Sequence, residues 1–248
     1  MTGTVETPRV DAEWLLAHVL RVSRSALHTH DGVDITALEP LVERRERREP
    51  LAYVLGEWGF RRLTLKTDRR ALVPRPETEV VVERALALIR DDREPRVLDL
   101  GVGSGAIALA IADEHPGARV TGVDTSGDAL ALARENAERL GLDVELRCGG
   151  VETAAEGWDL VVANPPYVPQ GALTRLQPEL SWEPPGALVD TGLHDQLARA
   201  ARTRGLVVEV GDGQAEHVAA AFANAGYGDI RITPDLTGKA RVVEGRRV

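Results

Sequence analysis

Apolar positions recur along this chain in two rhythms, and the change of rhythm marks its organisation. Between residues 11 and 22, Leu15, Leu16, Val19 and Leu20 fall on one helical face, with Asp11 and Glu13 where a helix N-terminus favours negative charge. A second helical stretch runs from about Ile35 to Arg48, with Leu38, Leu41 and Val42 apolar, and Pro50 limits it. This opening segment has little β signal and is too small to hold a rich core alone, so it is expected to pack on its neighbour. Residues 59–73 then alternate apolar and polar around Thr67-Asp68, which predicts a hairpin bridge turning there.

From Glu77 onward, helical and extended patterns alternate. The periodicity predicts helix 77–90, strand 96–100, helix 105–114, strand 119–123, helix 126–140, strand 143–147 and strand 158–163. Helix 194–203, strand 205–210, helix 213–225 and a terminal β-pair near 228–233 and 240–245 follow. Runs such as LVVA (160–163) and LVVEV (206–210) are apolar on both faces, which specifies a parallel sheet covered on both sides and an α/β fold. The expected units are a helical domain (1–58), a hairpin linker (59–72) and an α/β domain (73–248).

Composition narrows the classes. With 43% hydrophobic and 28% charged residues, the 248-residue chain has the makings of an ordinary globular core. No window approaches the ~18 uninterrupted apolar residues of a membrane span, and residues 1–6 lack the features of a signal peptide. The single cysteine, Cys148, cannot form an internal disulfide, which fits a cytoplasmic protein. The net charge of −9 argues against a nucleic-acid binder. Residues 1–75 carry 13 Lys and Arg against 11 Asp and Glu, and the remainder 17 against 28. Arg44, Arg45, Arg47 and Arg48 read first as a solvated helix face paired with Glu43, Glu46 and Glu49, and second as a docking patch for an acidic protein.

The strand Arg96–Leu100 runs into Gly101-Val102-Gly103-Ser104-Gly105 and an Ala/Ile/Leu helix. Glycines there let the backbone turn sharply and approach a ligand, and the helix offers free N–H groups. Asp124 ends the next strand, placed to accept the hydroxyls of a ribose. Gly101, Gly103 and Ala106 also satisfy the G-x-G-x-x-A dinucleotide pattern, so the loop alone leaves NAD open.

Asn164-Pro165-Pro166-Tyr167 follows strand 158–163 and favours methyl transfer from S-adenosylmethionine. Two prolines make a stiff loop at the carboxyl edge of the sheet. The Asn164 side chain and the Pro165 carbonyl form an acceptor pair for the two hydrogens of a planar –NH₂, and Tyr167 can lie against its flat face. An amide nitrogen is a poor nucleophile, so catalysis rests on aiming its lone pair at an activated methyl ~3 Å away. No metal is demanded, and His28 and His30 read as surface histidines.

These motifs resemble the protein-(glutamine-N5) methyltransferases, and among them the peptide chain release factor glutamine methyltransferases. The similarity covers most of the chain: Asp11–Leu20, Pro50–Glu57, Val73-Pro74-Arg75-Pro76-Glu77-Thr78-Glu79, Asp99–Gly105, Asn164–Tyr167 and Asp235–Val243. The resemblance implies a Rossmann-like, seven-stranded S-adenosylmethionine-dependent methyltransferase domain behind a small N-terminal helical domain that docks the protein substrate. It implies that Gly101 to Gly105, Asp124 and Asn164 bind S-adenosylmethionine, and that Asn164, Pro165, Pro166 and Tyr167 hold the glutamine of a release factor's Gly-Gly-Gln loop. The chain departs from the family in a short first helical region and in a compressed stretch from Thr191 to Gly205. It also has Gly150 where the family places an acidic residue, which leaves the adenine amino group to a backbone group, with Val151 packing on the ring.

Two other classes stand beside this reading. An amino-group methyltransferase for adenine or guanine uses a similar loop and predicts a basic groove with stacking aromatics. A non-catalytic interaction protein keeping the fold predicts no S-adenosylmethionine binding.

Overall fold

In the computed structural model, which describes residues 5–29 and 35–247, the first helix, α1 (Pro8–Leu20), starts on a proline whose fixed φ suits that position. With α2 (Ile35–Glu46) and α3 (Leu51–Leu55) it encloses a small core of Leu15, Val54 and Leu55, bordered by Leu38, Leu41, Val42, Leu51 and Trp58. His28 is exposed; His30 and residues 1–4 lie outside the described residues.

A hairpin follows, β1 (Glu57–Phe60) and β2 (Leu63–Lys66), paired from Glu57↔Lys66 to Phe60↔Leu63. Its turn is therefore at Arg61-Arg62, not at Thr67-Asp68. Arg61 adopts φ +50° without the Gly or Asn that usually signals such a turn. Tertiary bonds hold it instead: its N–H donates to Glu79 Oε1 at 2.9 Å and its guanidinium pairs with Glu114. Phe60, Leu63 and Leu65 are buried in the main core, so the hairpin is packed into the α/β body.

Helix α4 (Glu79–Ile89) leads into β3 (Arg96–Leu100), α5 (Ala106–Glu114), β4 (Arg119–Asp124), α6 (Gly127–Leu140), β5 (Glu145–Cys148) and β6 (Trp158–Ala163). Then come α7 (Leu193–Ala200), β7 (Thr203–Glu209), α8 (Ala215–Asn224), β8 (Gly228–Pro234) and β9 (Ala240–Arg246). The seven strands lie in the order β5-β4-β3-β6-β7-β9-β8; the first five are parallel, and β9 is antiparallel to both neighbours. Helix α7 is short and ends at Ala200, so β7 starts at Thr203, two residues before the pattern suggested.

Each central strand supplies both cores, as its unbroken apolar run requires. Val97, Leu160, Val162 and Val207 face α4, α5 and α6, whereas Leu98, Val161, Leu206 and Val208 face α7 and α8. From β3 the chain moves outward to β4, and it later returns on the other side at β6. The carboxyl ends of β3 and β6 therefore border a topological switch point, where a crevice forms. Their register pairs Leu100 with Ala163, which sets the segment beginning at Gly101 beside the one beginning at Asn164. Among the described residues no helix is long and apolar enough to cross a membrane.

Candidate active site

The glycine loop leaves β3 with Gly101, Gly103 and Gly105 at φ +79°, +55° and +88°, conformations that disfavour any side chain. Gly103 N–H donates to Asp124 Oδ2 at 3.0 Å, and Ser126 N–H donates to Oδ1 at 2.9 Å, so the carboxylate at the end of β4 is fixed against the loop. Gly101 to Ser104, Asp124, Gly150, Val151 and Asn164 all line one cavity of about 460 Å³. Gly105 lies outside its wall and serves the turn: a β-carbon there would sit 2.8 Å from Leu109 Cδ1. At Gly150 the N–H donates to Glu152 Oε1 (2.7 Å) and the carbonyl accepts from Thr153 (3.1 Å).

Beneath the loop, Asp99 is buried and accepts from Ala108 N–H at 3.0 Å through Oδ2, while Oδ1 has no partner among the described residues. Burial, with a smaller push from the Asp124 charge, raises its carboxyl to about 7.

A second cavity, about 590 Å³, opens on the other side of Asn164. Leu72, Val73, Pro74, Arg75, Asn164 and Ala187 face both cavities. Tyr167 faces only the second and Pro166 only the first; Pro165 is buried and lines neither. Asn164 Nδ2 donates to Thr78 Oγ1 at 3.1 Å, and Thr78 donates in turn to Glu209 Oε2 at 2.6 Å. Tyr167 donates its hydroxyl to Glu209 Oε1 at 3.2 Å. Burial raises both the Glu209 carboxyl and the Tyr167 phenol above their ordinary values, and the Glu209 charge adds to the Tyr167 shift. At neutral pH Tyr167 is a neutral donor.

The segment 176–191 contributes to both walls and is tied down by Glu183. Its buried carboxylate accepts from Arg75 and from Val73 N–H (3.2 Å), so it joins this strap to the residues before Pro76. No local spacing in the sequence links Thr78, Glu183 and Glu209 or marks them as site residues. A carboxylate inside the apolar run LVVEV was the one available signal.

The arginine cluster on α2 is mostly engaged internally. Arg45 is buried, with Nε on Asp11 Oδ2 (2.7 Å) and Nη2 on Glu179 Oε1 (2.8 Å), and Arg48 pairs with Glu179 Oε2 (2.7 Å). Arg44 grips Glu49 and the Val54 and Tyr53 carbonyls. The expected pairing with Glu49 is found for Arg44, but Glu49 is buried, so this pair is not a solvated face, and Arg45 fastens α2 to α1 and to the strap. These three guanidiniums do not form a free patch.

Two family models match the chain: the PrmC N-terminal domain over residues 2–56 and the Methyltransferase small domain over residues 80–192. The chain is 40% identical over 259 residues to the release factor glutamine methyltransferase of Geobacter sulfurreducens, covering 98% of this chain and 90% of that protein. For the Deinococcus radiodurans protein of the same name the identity is 40% over 260 residues, with 98% and 92% covered. For that of Caulobacter vibrioides it is 36% over 260 residues, with 97% and 90% covered.

The chain belongs to the release factor glutamine methyltransferase family. It is an S-adenosylmethionine-dependent methyltransferase, and the NAD reading of the glycine loop falls away. Among solved structures, the hMettl16 catalytic domain in complex with the MAT2A 3'UTR hairpin 6 is similar at TM-score 0.61 and 12% identity, over 74% of this chain and 75% of that one. A methyltransferase from Pyrococcus furiosus is similar at TM-score 0.52 and 15% identity, over 74% and 88%. At such identity the likeness shows the shared fold, and the RNA in the former carries no weight for the substrate.

The first cavity suits S-adenosylmethionine. It joins a side-chain-free glycine wall, a carboxylate with lone pairs left for two ribose hydroxyls, and the apolar Val151 beside Gly150. When bound, S-adenosylmethionine supplies an activated methyl group on a sulfonium.

Proposed function

We propose that this chain transfers a methyl group from S-adenosylmethionine to the side-chain amide nitrogen of the glutamine in the Gly-Gly-Gln loop of a peptide chain release factor. One observation carries the reading: Asn164 Nδ2 is already committed to Thr78, which leaves Asn164 Oδ1 as an acceptor where the two cavities meet. Oδ1 takes one hydrogen of the substrate amide, and the carbonyl of Pro165, a residue outside both cavity walls, takes the other as the substrate seats against Asn164. Two acceptors hold the nitrogen with its lone pair toward the donor cavity, while Tyr167 lies against the amide plane. Methyl transfer forms the N–C bond as the methyl–sulfur bond of the sulfonium breaks, its electron pair staying on the sulfur of the departing thioether, S-adenosylhomocysteine, and the N–H proton is released to solvent. Glu209 is already engaged by Thr78 and Tyr167 and is not needed as a base.

In the donor cavity, Asp124 receives the ribose hydroxyls, the loop from Gly101 to Ser104 faces the rest of the cofactor, and Val151 packs on the adenine. The Gly150 carbonyl retains a second lone pair for the adenine amino group. The helical segment 1–58 frames the acceptor cavity through Arg45, Pro50, Leu51 and Trp58, and so contributes to docking the protein substrate. A partner in translation supports a reaction in the cytoplasm.

Electrostatics disfavour a nucleic-acid substrate. The acceptor cavity has three arginines, Arg45, Arg75 and Arg241, against five glutamates, and each of the three is paired with a carboxylate. A phosphate backbone meets no unpaired guanidinium there.

The test is transfer from methyl-labelled S-adenosylmethionine to a purified release factor, with its loop glutamine replaced by Ala as control and an oligonucleotide as a separate arm. Label confined to the intact factor is expected. Equal labelling of both protein forms, or labelling of the oligonucleotide, overturns the reading.

A further inference from the structure

We propose that Glu209 is a positioning residue for this transfer: its carboxylate, acting through the Thr78 hydroxyl, decides which way the Asn164 carboxamide faces and anchors Tyr167 at the same time. The inference rests on the amide-methylation reading above and adds a residue that acts through Thr78 and Tyr167 and not on the reacting atoms.

The logic is one of hydrogen-bond direction. An ionised carboxylate only accepts. Thr78 has one hydroxyl proton, and at 2.6 Å from Glu209 Oε2 it is committed there. Toward Asn164, Thr78 Oγ1 therefore presents lone pairs, and only a donor satisfies them. Asn164 meets that demand with Nδ2 at 3.1 Å, which turns Oδ1 away from Thr78. A flipped carboxamide would set oxygen against oxygen, and its NH₂ would then confront the NH₂ of a substrate amide. The second carboxylate oxygen takes the Tyr167 hydroxyl at 3.2 Å, so a single buried group orients both polar side chains of the motif.

The hydroxyls of Thr78 and Tyr167 and the Arg241 charge favour the acceptor form of this group, and burial opposes it. Glu209 is 1% exposed at the end of β7, beside β6 in the register Ala163↔Val208. From β9, the Arg241 guanidinium contributes a favourable field, but its own N–H groups go to the Val210 carbonyl, Asp235 and Asp212. From the turn before α4, Glu77 adds an opposing charge. From α7, His194 Nε2 lies 2.7 Å from the Glu209 carbonyl, leaving the carboxylate to Thr78 and Tyr167. Burial raises the carboxyl above its ordinary range, so the chain of donors is lost on acidification earlier than an exposed glutamate would allow.

The test compares wild type with Glu209→Gln, Thr78→Val and Thr78→Ser on a purified release factor. Glutamine offers one acceptor and one donor, so it cannot accept from both Thr78 and Tyr167. The expected result for Glu209→Gln and Thr78→Val is a fall in kcat of ~10- to 100-fold. KM for the release factor and Kd for S-adenosylmethionine should stay within about 3-fold, because a positioning loss appears in kcat. Thr78→Ser keeps the hydroxyl and should recover most of the Thr78→Val loss. Wild-type kcat should fall on the acid side, and Glu209→Gln should lose that limb. An unchanged kcat and acid limb in Glu209→Gln overturns the proposal, as does a loss explained by an equal loss of cofactor binding and thermal stability. Solvent exchange of the Asn164 side-chain amide protons, read by nitrogen-15 NMR without turnover, tests the same chain independently: it should accelerate in Glu209→Gln and Thr78→Val. Failure of wild type to label the release factor strikes the substrate assignment instead, while unchanged exchange strikes the role of Glu209.

Discussion

Gly211 packs directly against the ring of Tyr167: a β-carbon at this glycine would lie 2.9 Å from Tyr167 Cδ2 and 2.9 Å from Gln214 Oε1. Gln214 in turn donates to the Tyr167 carbonyl at 3.1 Å and accepts from Gly211 N–H at 2.9 Å. The ring cannot yield cheaply while its backbone and hydroxyl are both bonded. Gly211→Ala is therefore expected to displace Tyr167 and reduce kcat/KM by about 10-fold, at a stability loss of about 1–3 kcal/mol typical of overpacking. Steady-state kinetics with a thermal melt check this; wild-type kcat/KM would mean the ring moves freely.

Asn164 faces both cavities, and its side chain is expected to matter far more to transfer than to cofactor binding. Asn164→Ala should lower kcat by at least ~100-fold, the scale of losing a group that orients the reacting atoms, with Kd for S-adenosylmethionine changed less than ~10-fold. Rapid-quench transfer and calorimetric titration measure the two separately. Equal losses in both would make Asn164 a cofactor ligand first.

Asp99 offers a pH experiment with a defined sign. Its folded carboxyl, raised to about 7 by burial, holds a proton that the unfolded chain releases near pH ~4. The folded state thus binds more protons, and this group draws stability down as pH rises between those values. Asp99→Asn preserves an acceptor for Ala108 N–H and removes the buried charge. Its advantage in unfolding free energy should be negligible at pH ~4 and grow to a plateau above pH ~8, with a ceiling of roughly 4 kcal/mol. A gain that does not vary with pH would show that the carboxyl titrates normally.

Arg45 joins Asp11 on α1 to Glu179 on the strap, and all three side chains are largely shielded from water. Arg45→Ala should destabilise by about 3 kcal/mol, because it strands the carboxylates it neutralised. Reversing Arg44, Arg45 and Arg48 to Glu should lower Tm first and raise KM for the protein substrate only as a consequence. An unchanged Tm with a raised KM would restore the docking-patch reading.

The sequence carried the sheet because hydrophobic runs and glycine turns are local signals: Leu98, Val161 and Val207 announced buried strands by their neighbours alone. The motif loops were legible for the same reason. The Arg61-Arg62 turn was not, since Arg61 takes a positive φ that only Glu79 and Glu114, distant in the chain, make tolerable. Helix α3 hid between Pro50 and Gly56 because five residues are too few to show a helical period. Thr78 and Glu209 stand 131 positions apart, so their bond exists only once α4 and the turn before it pack against β7. Nor does an arginine cluster reveal, by spacing, that Arg45 points inward.

Six residues, Leu72, Val73, Pro74, Arg75, Asn164 and Ala187, are walls of both cavities. Occupying either cavity therefore restrains part of the other, and the two affinities are thermodynamically linked. Whatever factor the methyl donor applies to the binding of the acceptor protein, the acceptor must return to the donor. The partition thus makes the enzyme a two-input device, in which the spent donor and the methylated protein loosen or retain one another on the way out.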